Sequence, residues 1–210
     1  QSQVRLEFIF VDNFSNDNTI PKLLEMKQSI RSEMRIYQHP TNLGFQNSIL
    51  TGLRMSKGNA AAILQSDLHD PPELLNVMIE NWLKGHKYVA TKMNSRNSSY
   101  FDRFSRLLGY LLLKLFSSTK IAINSGDFWL IDRSIINQIL AINPKFPFFR
   151  VLLPTLKTKS LVLKYDRVRR VKGESKFDFF SKYEFFIDAL LSDLRRFLLI
   201  NMTFYFVCMM

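Results

Sequence analysis

Between Glu7 and Thr91 the chain alternates short apolar, β-rich runs with stretches whose apolar residues recur at helical spacing. That alternation limits the fold more than any other feature. Glu7 to Val11 (EFIFV) reads as a buried strand ending at Asp12. Turn chemistry over Asn13 to Asn18 leads into Thr19 to Ser29, where Ile20, Leu23, Leu24 and Met26 mark a helix. Met34 to Tyr37 reads as a second strand. Asn42-Leu43-Gly44 opens a helix carrying Ile49, Leu50, Leu53 and Met55, which stops at Lys57-Gly58. Ala60 to Leu64 is a third strand, Pro71 to Leu83 a helix with proline in its first turn, and Tyr88 to Thr91 a fourth strand. Strands alternating with helices of this length predict a mostly parallel α/β sheet with right-handed crossovers. In such sheets ligands collect at the carboxyl ends of the strands, where Asp12 and Asp67 both fall.

The second half is different. Tyr100 to Phe116 reads as a basic amphipathic helix, Gly126 to Ile131 as a strand, Arg133 to Ala141 as a helix and Ser160 to Tyr165 as a strand. A polar loop, Asp166 to Lys176, then precedes a long amphipathic helix running to about Arg196. Between Lys145 and Lys182 eleven Lys/Arg face three acids (Asp166, Glu174, Asp178), a local net of +8 within a chain of net +11. A polyanion is the partner such a stretch suits: a diphosphate, an anionic membrane surface or nucleic acid. No RNA- or DNA-binding pattern accompanies it. The single cysteine, Cys208, excludes a disulfide framework, and the three histidines have no zinc spacing. Phe197 to Met210 is 14 residues without a charge, short of the roughly 20 a spanning helix needs. It is expected to begin a membrane helix, giving a domain over 1–196 and an apolar tail over 197–210.

Three stretches could carry chemistry. In QSDLHDPPE, Gln65 to Glu73, Asp67 offers a hard oxygen to Mg2+ or Mn2+ and His69 a nitrogen. Asp70 suits the cap of the helix starting at Pro71, and capping alone could also account for the acids. In VDNFSND, Val11 to Asp17, Asp12 could accept hydrogen bonds from a base or ribose, or simply close an Asx turn. The loop Asp166 to Lys176, with Arg167, Arg170, Ser175 and Lys176, could clamp phosphates or form a solvated basic surface.

The order of these elements resembles the family-2 glycosyltransferases of GT-A fold, most closely the polyprenyl-phosphate sugar transferases that include dolichyl-phosphate mannose synthase. The likeness runs from about Glu7 to Asp193. The family's V-D-D-G-S-x-D is met by Val11 to Asp17, its N-x-G turn by Asn42-Leu43-Gly44, and its D-A-D-L-Q-D-P-P-E by Gln65 to Glu73. Its G-D-F-x-L-x-D-R is met by Gly126 to Arg133, and its late R-x-x-G-x-S-K by Arg170, Gly173, Ser175 and Lys176. Asn13 and Phe14 stand where the family has Asp and Gly, and Gln65 where it has an acid. The family's opening P-x-Y/F-N-E strand has no counterpart, so the sheet is expected without that first strand.

The resemblance implies inverting, metal-dependent transfer of a sugar from a UDP- or GDP-sugar to a polyprenyl phosphate, undecaprenyl or dolichyl, for cell-surface glycan synthesis. Asp12, Asn42, Gly44, Gln65 and Asp67 would bind the nucleotide sugar, and Asp67 with His69 would hold Mg2+ or Mn2+. Asp127 takes the family's catalytic or acceptor-side acid position, and Asp67 counts with it as catalytic. Arg167, Arg170, Ser175 and Lys176 would hold donor and acceptor phosphates. The protein would be membrane-associated with its active site on the cytoplasmic face, no nucleic-acid partner, and self-association compatible with the family. A glycan acceptor, or a catalytically silent nucleotide- or membrane-binding relative, stays open beside this reading.

Overall fold

The computed structural model describes residues 4–30, 32–67, 70–93 and 125–166. Along them run β1 (Glu7–Asp12), α1 (Thr19–Ser29), β2 (Glu33–Gln38), α2 (Phe45–Met55), β3 (Ala60–Ile63) and α3 (Leu74–Leu83). These are followed by β4 (Tyr88–Met93), β5 (Ser125–Asp132), α4 (Arg133–Ile142), α5 (Phe149–Thr155) and β6 (Ser160–Tyr165). The amphipathic helices expected over 100–116 and 177–196, the loop beyond Asp166 and the apolar tail lie outside the described residues. Among the described residues no helix is long and apolar enough to cross a membrane.

The chain divides into two compact units, residues 1–61 with 132–144, and 62–131 with 145–210. In the first unit β1 and β2 pair in parallel, from Glu7 opposite Glu33 to Asp12 opposite Gln38. Helix α2 follows Gly44, whose φ of +84° places it in the region glycine occupies without strain. It buries Ile49, Leu50 and Leu53, as the helical spacing predicts. Helix α4 is capped by Asp132, whose carboxylate accepts from the Ser134 N–H at 2.9 Å, and buries Ile135, Ile136 and Ile139. Arg133 reaches back to the carbonyl of Gly58 (Nε to O, 2.7 Å).

Glu7 ties this unit together. Its Oε1 accepts from the N–H groups of Lys57 (2.7 Å) and Gly58 (2.6 Å), and its Oε2 pairs with the Arg35 guanidinium. Arg35 in turn donates to the carbonyl of Met55 at 2.6 Å, so one carboxylate joins β1, β2 and the end of α2. A Cβ on Gly58 would sit 3.1 Å from the Ala60 carbonyl, so glycine permits this close approach.

The second unit holds a four-stranded sheet of order β3-β5-β4-β6. Strands β4 and β6 are parallel, from Tyr88 opposite Ser160 to Met93 opposite Tyr165. Strand β5 is antiparallel to β4, with Ala90 opposite Trp129 and a register shift before Lys92 meets Ser125. The single, mostly parallel sheet expected from the alternation is therefore a parallel pair plus a mixed sheet. The reason is that β5 re-enters beside the carboxyl end of β4, a return that the alternation of strands and helices does not encode.

Two local expectations change. Helix α3 begins at Leu74, after turns in which the carbonyls of Pro71 and Pro72 accept from Leu74 (3.1 Å) and Leu75 (3.0 Å). The carboxylate of Asp70, ahead of that start, is buried and accepts from the Tyr165 hydroxyl. Helix α5 was not expected, because Pro144, Pro147 and Pro154 surround and interrupt its pattern. It forms because Phe149, Val151 and Leu153 all bury, with the Phe149 ring 5.5 Å from that of Trp129.

Burial raises the Glu7 pKa, but the Gly58 and Lys57 N–H groups and the Arg35 charge outweigh it, leaving Glu7 below its ordinary 4.5. Its stabilising effect is therefore complete above that ordinary value and is lost as pH falls through the lowered, folded-state value. Glu7→Gln is expected to cost about 1–2 kcal/mol at neutral pH and to flatten this part of the acid-unfolding curve. Urea melts taken from neutral into acid pH check both effects.

Candidate active site

In the first unit the candidate residues gather where β1 and β2 end. Asp12 is 7% exposed, and its carboxylate accepts from the Ser15 N–H (2.9 Å), the Ser15 hydroxyl and the Gln38 amide (3.1 Å). Burial raises its pKa, yet the Ser15 hydroxyl, the Ser15 N–H and the Gln38 amide bring the balance below the ordinary carboxylate value. Asp12 is thus a fixed anionic acceptor. A carboxylate offers about four lone-pair sites, so three donors leave room for one more, such as a ribose or base donor.

Asn13 bridges two loops: its Oδ1 accepts from the Leu43 N–H (2.9 Å) and its Nδ2 donates to Asn42 Oδ1 (2.5 Å). The same Asn42 oxygen accepts from the Gly44 N–H at 3.0 Å. Asp12, Asn42 and Gly44 therefore belong to one hydrogen-bonded end of the β1–β2 pair. His39, buried beside them, contacts Asn13 Oδ1 (3.3 Å) and Thr51 Oγ1 (3.0 Å) through its two ring nitrogens. Phe14 adopts a φ of +66°, the left-handed region a bulky side chain rarely enters.

In the second unit Gln65 and Asp67 are half-buried just beyond β3. His69, Arg167, Arg170, Ser175 and Lys176 lie outside the described residues. Among the described residues no three His, Cys, Asp or Glu side chains form a metal-binding group. Asp127, on β5, is 4% exposed and engaged by Arg150 of α5 in a two-point fork: Nε to Oδ1 at 3.1 Å and Nη2 to Oδ2 at 2.6 Å. Both carboxylate oxygens thus already face a permanent cation. That suits a positioning group better than a proton acceptor. Burial, and then the charge of Asp127, push the nearby Tyr88 phenol well up.

Sequence reasoning did not single out Arg150, which lies 23 residues from Asp127 with no spacing rule between them. It likewise missed the contact between Asp70 and Tyr165, which are 95 residues apart. The basic, aromatic run Phe146 to Arg150 was the available signal for Arg150.

The sequence profile of "Glycosyl transferase family 2" matches residues 1–140, and the chain belongs to that family. It is 32% identical over 178 residues to an uncharacterized glycosyltransferase, YkcC, of Bacillus subtilis, covering 84% of this chain and 55% of that protein. It is 27% identical over 192 residues to the bactoprenol glucosyl transferase of Shigella phage SfV, covering 89% of this chain and 61% of that protein. Across these two relatives the chain spans 55% to 61% of the full length. Among solved structures, glucosyl-3-phosphoglycerate synthase from Mycobacterium tuberculosis, determined with uridine diphosphate, aligns at a TM-score of 0.51 and 15% identity, covering 90% of this chain and 68% of that one. That likeness supports the α/β glycosyltransferase fold.

Two outcomes follow from this geometry. Phe14→Gly is expected to be neutral or stabilising by up to about 1 kcal/mol, because left-handed strain is relieved against added unfolded-state freedom. Chemical denaturation reads it directly. Asp127→Asn is expected to cost about 2–3 kcal/mol by leaving Arg150 short of its counter-charge, and adding Arg150→Met is expected to recover most of that loss. A double-mutant cycle with no coupling between the two sites would contradict the ion pair.

Proposed function

We propose that this chain is the catalytic part of a membrane-associated, inverting glycosyltransferase that moves a sugar from a nucleotide sugar to a polyprenyl phosphate. The observation that carries this reading is the match to bactoprenol glucosyl transferases over 192 residues at 27% identity. Family membership supports the reaction class. On this reading the donor is a UDP- or GDP-sugar and the product feeds cell-surface glycan synthesis from the cytoplasmic face.

Asp12 accepts from the donor's base or ribose, and Asn42, Gly44 and Gln65 belong to the donor's contact set. Asp67, with His69, holds Mg2+ or Mn2+. The donor set fits such an ion, since magnesium is commonly held by one or two carboxylates plus substrate phosphates and water. Bound there, the metal supplies positive charge to the departing diphosphate. Arg167, Arg170, Ser175 and Lys176 add cationic and hydroxyl donors, which stabilise the leaving group most where its charge is greatest.

A phosphate acceptor is already anionic near neutral pH, so the attack needs orientation more than a strong base. The occupied carboxylate of Asp127 suits that requirement. Direct displacement by the acceptor oxygen on the sugar's anomeric carbon breaks the bond to the diphosphate and inverts the configuration.

The parent-length protein in membranes, given labelled nucleotide sugar and Mg2+ or Mn2+, is expected to move label into solvent-extractable lipid. Asp67→Ala is expected to lower that rate at least about 100-fold. An unchanged rate overturns the metal assignment. Nucleotide binding without turnover overturns the transferase reading in favour of a silent relative, and label appearing only in a glycan overturns the lipid acceptor.

A further inference from the structure

Directly after β2, His39 is drawn into the first unit and only 6% exposed. Its backbone N–H donates to the Asp12 carbonyl at 2.9 Å, extending the β1–β2 ladder one residue past the Asp12–Gln38 pair. Its ring spans from Asn13, just beyond β1, to Thr51 on α2. No step of the proposed transfer uses this imidazole.

The ring's partners fix where its proton lies. Asn13 Oδ1 accepts from the Leu43 N–H at 2.9 Å, so that atom is an amide oxygen and cannot donate. The facing His39 Nδ1, 3.3 Å away, must therefore carry a proton. Thr51 Oγ1, 3.0 Å from Nε2, can either donate or accept, so it satisfies Nε2 whether that nitrogen is bare or protonated. A proton on Nε2 alone would set two lone pairs against each other at Asn13.

The two donors, Leu43 N–H and His39 Nδ1–H, fill both lone pairs of Asn13 Oδ1 and fix which end of that amide faces them. Asn13 Nδ2 then donates to Asn42 Oδ1 at 2.5 Å, and the same oxygen accepts from the Gly44 N–H at 3.0 Å. Reversing the Asn13 amide would bring N–H groups together at Leu43 and His39 and oxygens together at Asn42. Both amide oxygens are thus used within the protein. What Asn13 and Asn42 can still offer a ligand is N–H, next to the acceptor carboxylate of Asp12.

We propose that His39 is a positioning residue of the donor site. Its Nδ1 proton locks the Asn13 amide, and through it the Asn42–Gly44 turn, in the form that offers N–H groups to oxygen atoms of the nucleotide. This role rests on the reading of Asp12, Asn42 and Gly44 as donor contacts, whereas the ring proton is observable without any nucleotide.

The test uses the protein in detergent, labelled with 15N-histidine, with His39→Asn assigning the His39 signals. Long-range 1H–15N correlation is expected to show a protonated His39 Nδ1 at neutral pH; a bare Nδ1 overturns the proposal. Asparagine places its amide nitrogen near the position of a histidine Nδ1, and glutamine places its own nearer Nε2. His39→Gln is therefore expected to weaken binding of UDP or GDP, whichever the parent takes up, about fivefold, the worth of about one hydrogen bond. The KM for the nucleotide sugar is expected to rise by the same factor with kcat kept, and His39→Asn to rescue most of the loss. Equal losses in both variants make His39 a packing residue and overturn the proposal, as does parental affinity in both. A protonated Nδ1 in a protein that binds neither nucleotide overturns the donor reading, and this role with it, while leaving the Asn13 lock in place.

Discussion

Burying a carboxylate is costly unless it is paired, and Asp127, only 4% exposed, meets the guanidinium of Arg150. That requirement organises the second unit. Asp127 and Trp129 are two residues apart on β5, and α5 answers them with adjacent residues, Arg150 and Phe149. One contact is an ion pair and the other a ring pair, so together they oppose both rotation and sliding of a helix only seven residues long. A seven-residue helix with an internal proline has little stability of its own. Its position is therefore set by β5.

The first unit relies on polar closure of another kind. The departure of Asn13 from the family's second aspartate makes physical sense in the Asn13–Asn42 contact. An aspartate could accept from the Leu43 N–H, but it could not donate to Asn42 Oδ1 as the Asn13 amide does. Asparagine thus exchanges a negative charge for a second loop connection. Phe14 has no comparable compensation: at 45% exposure it buries little to offset a left-handed backbone. The two departures in one motif therefore differ, one coupled to its surroundings and one strained.

The strands and helices from Glu7 to Thr91 were legible because each rests on periodicity within a single segment, which a sequence carries openly. So was the strand-end position of Asp12, whereas Asp67 lies past β3, which ends at Ile63. The direction of β5 was not legible, because it depends on the end of the sheet at which the chain re-enters. Helix α5 was hidden by prolines that its buried Phe149, Val151 and Leu153 override. Arg150 and Tyr165 were invisible for one shared reason. Each matters through a partner distant in sequence, and a single sequence carries no record of such pairs.

The stretch Gln65 to Glu73 shows how far such non-local contacts can narrow a reading. It contains three acids, and composition gives no reason to rank them. The Tyr165 hydroxyl draws Asp70 into the interior, and Glu73 sits exposed at the start of α3. Asp67 is thereby the carboxylate best placed to bind a metal on the proposed reading, with Gln65 contributing no charge. A protein site with so little negative charge binds a hydrated divalent ion weakly by itself. The oxygens of a bound diphosphate would then supply most of the affinity, so that metal and donor bind as a pair. On that reading, an acid replaced by Gln65 would shift metal binding toward dependence on the nucleotide sugar without requiring that it be lost.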